Sequence, residues 1–283
     1  MKINKVIILG SGQSILNLTN DEIDYINNCE YVIAVNKFAA FYKKSQIIPT
    51  HIYFHDLFGI NILFYILEVL NKNKFEKITL FTNSYVNNLL YSQKWTLVQK
   101  TLIDLFYYRF LALMKIILKF GLNCEIHKFK LLRNLNYIKI PKSYTIIPLK
   151  LTNWNSEKDY WGNSLNDRLY HYRGSLTTVL NIASIIAPSH EIFLVGNDFN
   201  GDRYFYEEEL DQLGIPWKDF TYTKVKKYKK HMSFQKENGK TMSDKIPYII
   251  RKLNETNNIV SCNNKKSLLV TESGVNYKKL IND

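Results

Sequence analysis

The sequence predicts an α/β fold: a single doubly wound, mostly parallel sheet of the variant Rossmann-like kind. Three observations predict it. Apolar runs of strand length recur along the chain, helical patterns separate most of them, and several runs end abruptly in Gly, Asn or Asp. No fixed-period repeat or linker-like stretch interrupts the 283 residues, so one domain is expected over 1–283.

The elements follow in order. "KVIILGSGQS" reads as a first strand and a glycine turn, with a helix expected over "SILNLTNDEIDYINN". Its apolar run is too short for a secretory core and lacks a small-residue cleavage site, so a cytoplasmic protein is expected. "YVIAVN", "HIYFHD" and "KITLFTN" read as the next three strands, "NCEIHKF" as another, "HEIFLVGND" as a later one, and "NNIVSC" as the last. Helices are expected over "SLTTVLNIASIIA" and "SDKIPYIIRKLNET". Ligands of such sheets bind beyond the carboxyl ends of the strands. Gly10–Ser14, Asn36, His55–Asp56, Asn83 and Gly196–Asn200 all fall there. The apolar stretch Trp95–Gly121 carries Lys100, Asp104, Arg109, Lys115 and Lys119, which disfavours a membrane span. It reads first as a long helix with one face in the core, and second as an interfacial helix.

The formal charge of +13, from 38 Lys and Arg against 25 Asp and Glu, suits nucleic acid, an anionic membrane or phosphorylated sugars. Part of it sits in "KVKKYKK", Lys224–Lys230, which reads as a solvated loop or as a peripheral contact with an anionic inner leaflet. A basic nucleic-acid-binding protein is the alternative of another class. The glycine turn and the Gly-x-Asp-Phe strand end rank it below an enzyme, and no nucleic-acid partner is expected. Cys29, Cys124 and Cys262 are too few and scattered for a disulfide framework or a zinc site.

"GSGQSI" begins like a dinucleotide fingerprint, but Ile15 replaces its third glycine and the second strand ends in Asn36 rather than an acid. NAD is weakened as a ligand, and a nucleotide survives. The turn still offers N–H groups and a helix N-terminus to a phosphate. No D-x-D occurs, and Asp198 and Asp202 stand four apart, so no metal is expected.

"KVIILGSGQS", "VIAVNKF", "YRGSLTTVLNIASIIAPSHEIFLVGNDF", "HMS" and "SCNNKKSLL" together resemble the bacterial CMP-sialic-acid sialyltransferases of the metal-independent α-2,3/α-2,8 type. The resemblance covers most of the chain, is densest over Arg173–Phe199, and fades over 86–158. It implies a GT-A-like fold with a lid over about 200–240, a CMP-sugar donor and no metal. Gly10, Gly12 and Ser11 (where the family has Asn) would lie at the phosphate and ribose. Asn36, Arg173, Ser175 and Thr177 match donor-binding positions, with Leu176 replacing a serine. Gly196, Asp198 and Phe199 would surround the ribose and base. Asn200 occupies the first of two phosphate-binding tyrosine positions, and Tyr204 or Tyr206 supplies the second. His231 stands where the family's catalytic base lies on the lid.

An imidazole titrates near working pH and suits a base that accepts a hydroxyl proton. The lysine run before His231 is expected to keep it neutral. His55–Asp56, at a strand end, departs from the family's Asn, which helps hold the sugar, and both His55 and Asp56 are catalytic candidates. Asp56 reads as a helix N-cap or as the nucleophile of a retaining, CMP-Kdo-type transferase. Arg173 reads as a donor contact or a structural ion pair, and Tyr204 and Tyr206 as phosphate ligands or packing. Trp154 and Trp161 read as an acceptor platform or as packing beneath the lid. The expected activity is metal-independent, inverting transfer of a sialic acid or related nonulosonate to a surface glycan or glycolipid, with His231 as base. A homo-oligomer is compatible with the sequence.

Overall fold

The computed structural model describes residues 3–55, 60–73, 75, 77–83, 143–154, 158–200, 204–213, 230–236 and 239–281. The strand expected over 123–129, the Trp95–Gly121 segment and all of "KVKKYKK" except Lys230 lie outside these residues. Asp56 and Asp202 do too. The described strands are β1 (Ile3–Leu9), β2 (Cys29–Val35), β3 (His51–Phe54), β4 (Thr79–Asn83), β5 (Thr145–Leu151), β6 (Arg168–Leu169), β7 (Glu191–Val195), β8 (Ile259–Cys262) and β9 (Asn276–Tyr277). They form one sheet in the order β6-β5-β4-β3-β2-β1-β7-β8-β9. Every described pairing is parallel.

β1 explains why the sheet needs cover on both faces. Val6, Ile7, Ile8 and Leu9 are all fully buried, as a parallel strand between two layers requires. Ile7 and Leu9 enter one layer with Phe38, Leu63, Ile66, Leu70, Phe205 and Tyr206. Val6 and Ile8 enter the other with Val179, Leu180, Ala183, Ile249 and Leu253. The described helices are α1 (Asn20–Asn27), α2 (Tyr42–Ser45), α3 (Ile60–Lys72), α4 (Ser175–Ile186), α5 (Glu207–Gln212), α6 (Ile246–Glu255) and α7 (Leu268–Thr271). α6 is amphipathic: Ile246, Ile249 and Leu253 are buried at helical spacing. α4 is buried all round, and its polar residues hold the preceding loop. The Asn181 carboxamide accepts from the N–H groups of Gly162 and Tyr170 and donates to the Gly162 carbonyl.

Two sequence expectations need correction. The helix expected over "SILNLTNDEIDYINN" is two elements, a 3₁₀ turn (Gln13–Asn17) and then α1. Thr19 and Glu22 close a reciprocal capping box that starts α1 afresh. "NNIVSC" does not end the sheet, because β9 pairs outside β8.

The winding direction fixes where a ligand can enter. From β1 to β6 the chain adds strands on one side, and β7 then returns to the other side of β1. The reversal makes β1/β7 the topological switch point, with a crevice at the carboxyl ends of those two strands.

Candidate active site

Two glycine turns meet at the switch point. Gly10 N–H donates to the Val195 carbonyl (2.8 Å), and Gly12 N–H to the Gly196 carbonyl (2.7 Å). A Cβ on Gly10 would overlap the Gly196 carbonyl oxygen, and one on Gly12 the Asp198 carboxylate. Gly196 has φ +69°, and a Cβ there would meet Ile15 Cγ1 at 2.5 Å. The glycines therefore let the β1 and β7 turns touch. The expected phosphate cradle needs correction on this point. The Gly10 and Gly12 N–H groups are already bonded to the β7 end and the turn after it, and a 3₁₀ turn stands where the helix N-terminus was expected.

Asp198 binds the turns together. Its Oδ2 accepts from Ser14 N–H (2.9 Å), and its Oδ1 accepts from Ser14 Oγ (2.5 Å) and Asn264 Nδ2 (2.7 Å). It is 4% exposed. Ser14 falls in the Gly10–Ser14 turn placed at the strand ends from the sequence, whereas Asn264, in "SCNNKKSLL", was not singled out. Tyr206 is buried, stacks on Phe41 at 4.6 Å, and donates from its hydroxyl to Ser11 Oγ (2.9 Å). Tyr204 stacks beside it at 5.6 Å.

Asn36, in the left-handed region at φ +51°, joins the β2 and β3 ends to the start of α4. Its Nδ2 donates to Ser175 Oγ (3.1 Å) and its Oδ1 accepts from His55 N–H (3.3 Å). The His55 ring contacts that of His171 edge-on at 5.0 Å, and Trp154 packs on His171 at 5.2 Å. His171 Nδ1 pairs with Thr178 Oγ1 at 2.8 Å. Burial, with the neighbouring His55 adding to it, pushes the His171 imidazole down to about 3. Nothing in the sequence separated His171 from the other histidines; only the fold places it beside His55.

His231 opens the 3₁₀ turn Met232–Phe234. Its N–H donates to the Phe199 carbonyl (3.0 Å) and its ring stands edge-on to Phe199 at 5.2 Å. Burial lowers the imidazole to about 4. It is therefore neutral as expected, with desolvation as the described cause; the lysines at 224–229 lie outside the described residues. Lys230 pairs with Glu272 at 2.6 Å. Ser233 N–H donates to His231 Nδ1 at 3.2 Å, which puts the proton of the neutral ring on Nε2.

These groups front one cavity of about 910 Å³ running from the β7 turn to the β5 end. Gly10–Gly12, Asn36, His55, Ser175, Gly196, Asp198, Phe199, Tyr204, Tyr206 and His231 all line it. Arg173 and Thr177 do not. Arg173 is buried and donates from Nη2 to the Gln235 carbonyl (3.1 Å). Thr177 accepts from Tyr172 N–H (2.9 Å) and donates to the Gly174 carbonyl (3.0 Å). A smaller cavity of about 510 Å³ lies at the amino ends of β7 and β8, beside Glu191. Among the described residues no cluster of His, Cys, Asp or Glu is placed to hold a metal, and no helix is long and apolar enough to cross a membrane.

No protein-family model matches the chain, and no curated protein matches it. Two solved sialyltransferase structures are similar to it. One is CstII from Campylobacter jejuni in complex with a substrate analogue, cytidine-5'-monophosphate. It is 16% identical with a TM-score of 0.43, over 100% of this chain and 88% of that one. The other is a variant of Cst-II in complex with CMP, 16% identical with a TM-score of 0.45, over 99% and 89%. At these values the likeness gives no residue a role, and the site stands on its own contacts.

Proposed function

We propose that the protein is a glycosyltransferase that moves a sialic acid or related nonulosonate from a CMP-activated donor to a hydroxyl of a bacterial surface glycan. The observation that carries this reading is the 910 Å³ cavity, floored by the paired glycine turns at the switch point and rimmed by a neutral histidine. The sequence motifs shared with the CMP-sialic-acid enzymes supply the donor class. Cleavage at the anomeric carbon leaves an oxocarbenium-like sugar and a phosphate gaining charge. Hydroxyls such as those of Ser11 and Tyr204 stabilise that charge by donating to it, and Tyr206, donating to Ser11 Oγ, orients the Ser11 proton outward. No metal takes part in this reading. The basic balance suits the anionic donor and a peripheral position at an anionic leaflet.

His231 takes the proton of the attacking hydroxyl in this scheme, and its geometry sets a condition. With Nδ1 accepting from Ser233 N–H, Nε2 carries the proton and cannot accept another. The ring becomes a base at Nε2 only when its proton moves to Nδ1 and the Ser233 bond opens. Substrate binding must therefore rearrange the Met232–Phe234 turn.

The test is run in excess chelator. CMP should bind by calorimetry where NAD and S-adenosylmethionine do not, and transfer should invert configuration. His231→Ala should lower kcat by about 10²–10⁴-fold with CMP affinity unchanged. His55 lines the cavity at the β3 end, which keeps one other reading in view. A covalent sugar adduct on Asp56, seen by mass spectrometry with donor alone, would replace His231 by a retaining nucleophile. Absence of CMP binding would end both readings.

A further inference from the structure

The far end of the cavity shares none of the glycine turns' chemistry. Trp154 is 40% exposed, yet it lines the cavity with Thr152, Asn153, His55 and His171. An indole face left open inside a cavity is an unfilled apolar contact, and a polar tip beside it fixes orientation. The wall is held in place before any ligand arrives. The Trp154 carbonyl accepts from Arg173 N–H (3.1 Å). Thr152 Oγ1 accepts from His171 N–H (2.8 Å) and donates to the His171 carbonyl (3.2 Å). The loop after β5 and the loop before α4 are thereby one piece.

Distance separates this end from the switch point. β7 and β5 are five inter-strand steps apart, about 24 Å at the usual spacing. Charge separates them too. Among the described residues lining the cavity, Lys37, at the β2 end, is the one lysine or arginine. No described lysine, arginine or carboxylate lines the β3–β5 end, and burial keeps His171 neutral. A phosphate or a sugar acid placed there would meet no described cation. An uncharged ring with an apolar face and several hydroxyls would meet an indole, a threonine, an asparagine and two imidazoles.

We infer that the β3–β5 end of the cavity is a subsite for an uncharged pyranose, seated on the face of Trp154 and hydrogen-bonded by Asn153, His55 and His171, with Thr152 bracing the wall behind them. Under the proposed function, on which this part rests, that pyranose is the acceptor sugar. Its attacking hydroxyl points back along the cavity toward the donor.

Saturation-transfer NMR on the full chain tests the subsite directly. The probes are methyl β-galactoside, methyl β-glucoside and methyl N-acetyl-β-glucosaminide. At least one should take up saturation through its ring C–H protons. Trp154→Ala should weaken it by about tenfold or more, Trp154→Phe should retain most of it, and CMP affinity should stay within about twofold in both. The unaltered protein offers a second readout: with 5-fluorotryptophan incorporated, the Trp154 fluorine resonance should shift on adding the glycoside and not on adding CMP. No saturation of any glycoside, saturation untouched by Trp154→Ala, or CMP binding lost with the indole would each overturn the subsite. If the protein binds no CMP but binds a glycoside through Trp154, the subsite stands and the donor reading falls.

Discussion

The two ends of the cavity are built on opposite terms. At the β1/β7 end the polar groups face other protein groups. Gly10 and Gly12 N–H bond to the Val195 and Gly196 carbonyls, and the Asp198 carboxylate is held by Ser14 and Asn264. At the β3–β5 end the His171 ring touches those of His55 and Trp154, and all three still front the open space. The first end commits its glycine N–H groups and Asp198 to the architecture of the site, and the second sets aromatic rings against the space a ligand would fill. A glycine motif read as a phosphate cradle can thus owe its glycines to the approach of two turns.

The largest effect should come from breaking the first end. A Cβ on Gly12 would overlap the Asp198 carboxylate, which cannot move without losing its bonds to Ser14 and Asn264. Gly12→Ala should cost about 3 kcal/mol or more, as overpacking and lost charged hydrogen bonds combine. Asn153→Ala at the other end should stay within about 0.5 kcal/mol. Urea unfolding of the pair measures the contrast, and similar costs at both ends would erase it.

A smaller effect sharpens the role of Asp198. Asp198→Asn should cost about 1.5–3 kcal/mol and Ser14→Ala about 1 kcal/mol. The double variant should lose less than their sum, because one network is broken twice. If Asp198 acts by positioning the turns, CMP affinity falls in step with stability in both variants. A much larger loss of CMP binding in Asp198→Asn than its stability cost explains would instead put the carboxylate on the donor itself.

Much of this was legible in the sequence. Strands buried on both faces announce themselves as unbroken apolar runs, and so β1, β2, β3, β4, β7 and β8 were all foreseen. β5 was not. "TIIPLKL" alternates half-heartedly, carries Pro148 and Lys150, and buries only Leu149 fully. β6 and β9, at two residues each, leave no periodicity to detect. Among site residues, those at strand ends were found because the fold class predicts where strand ends go. Arg173 and Thr177 were placed with them by motif alone, and the fold turns both into supports for the 230–236 segment and the α4 start. His171 and Asn264 were missed because their partners, His55 and Asp198, are distant in sequence.

The smallest effect is a pH slope, and it tells the two ends apart once more. His171 and His231 have imidazoles lowered from 6.5 to about 3 and about 4, so the unfolded chain takes up protons in acid that the folded chain refuses. Stability then rises with pH wherever the unfolded state binds more protons. The contribution is complete above about 6.5. It is lost as pH falls toward 4 for His231 and toward 3 for His171. Glu191 acts in the same direction but lower. Burial raises it, the ammonium groups of Lys278 and Lys5 outweigh burial, and its carboxyl sits below the usual 4.5. Between pH 5.5 and 6.5 the histidines therefore dominate, each contributing about 1 kcal/mol at most. His171→Gln retains a partner for Thr178 while removing one titrating group, so the slope in that window should fall by up to about one proton. Urea unfolding at closely spaced pH values measures it. An unchanged slope would mean that His171 titrates alike in the folded and unfolded chain, and the β3–β5 end would then gain positive charge as the pH falls through about 6.5.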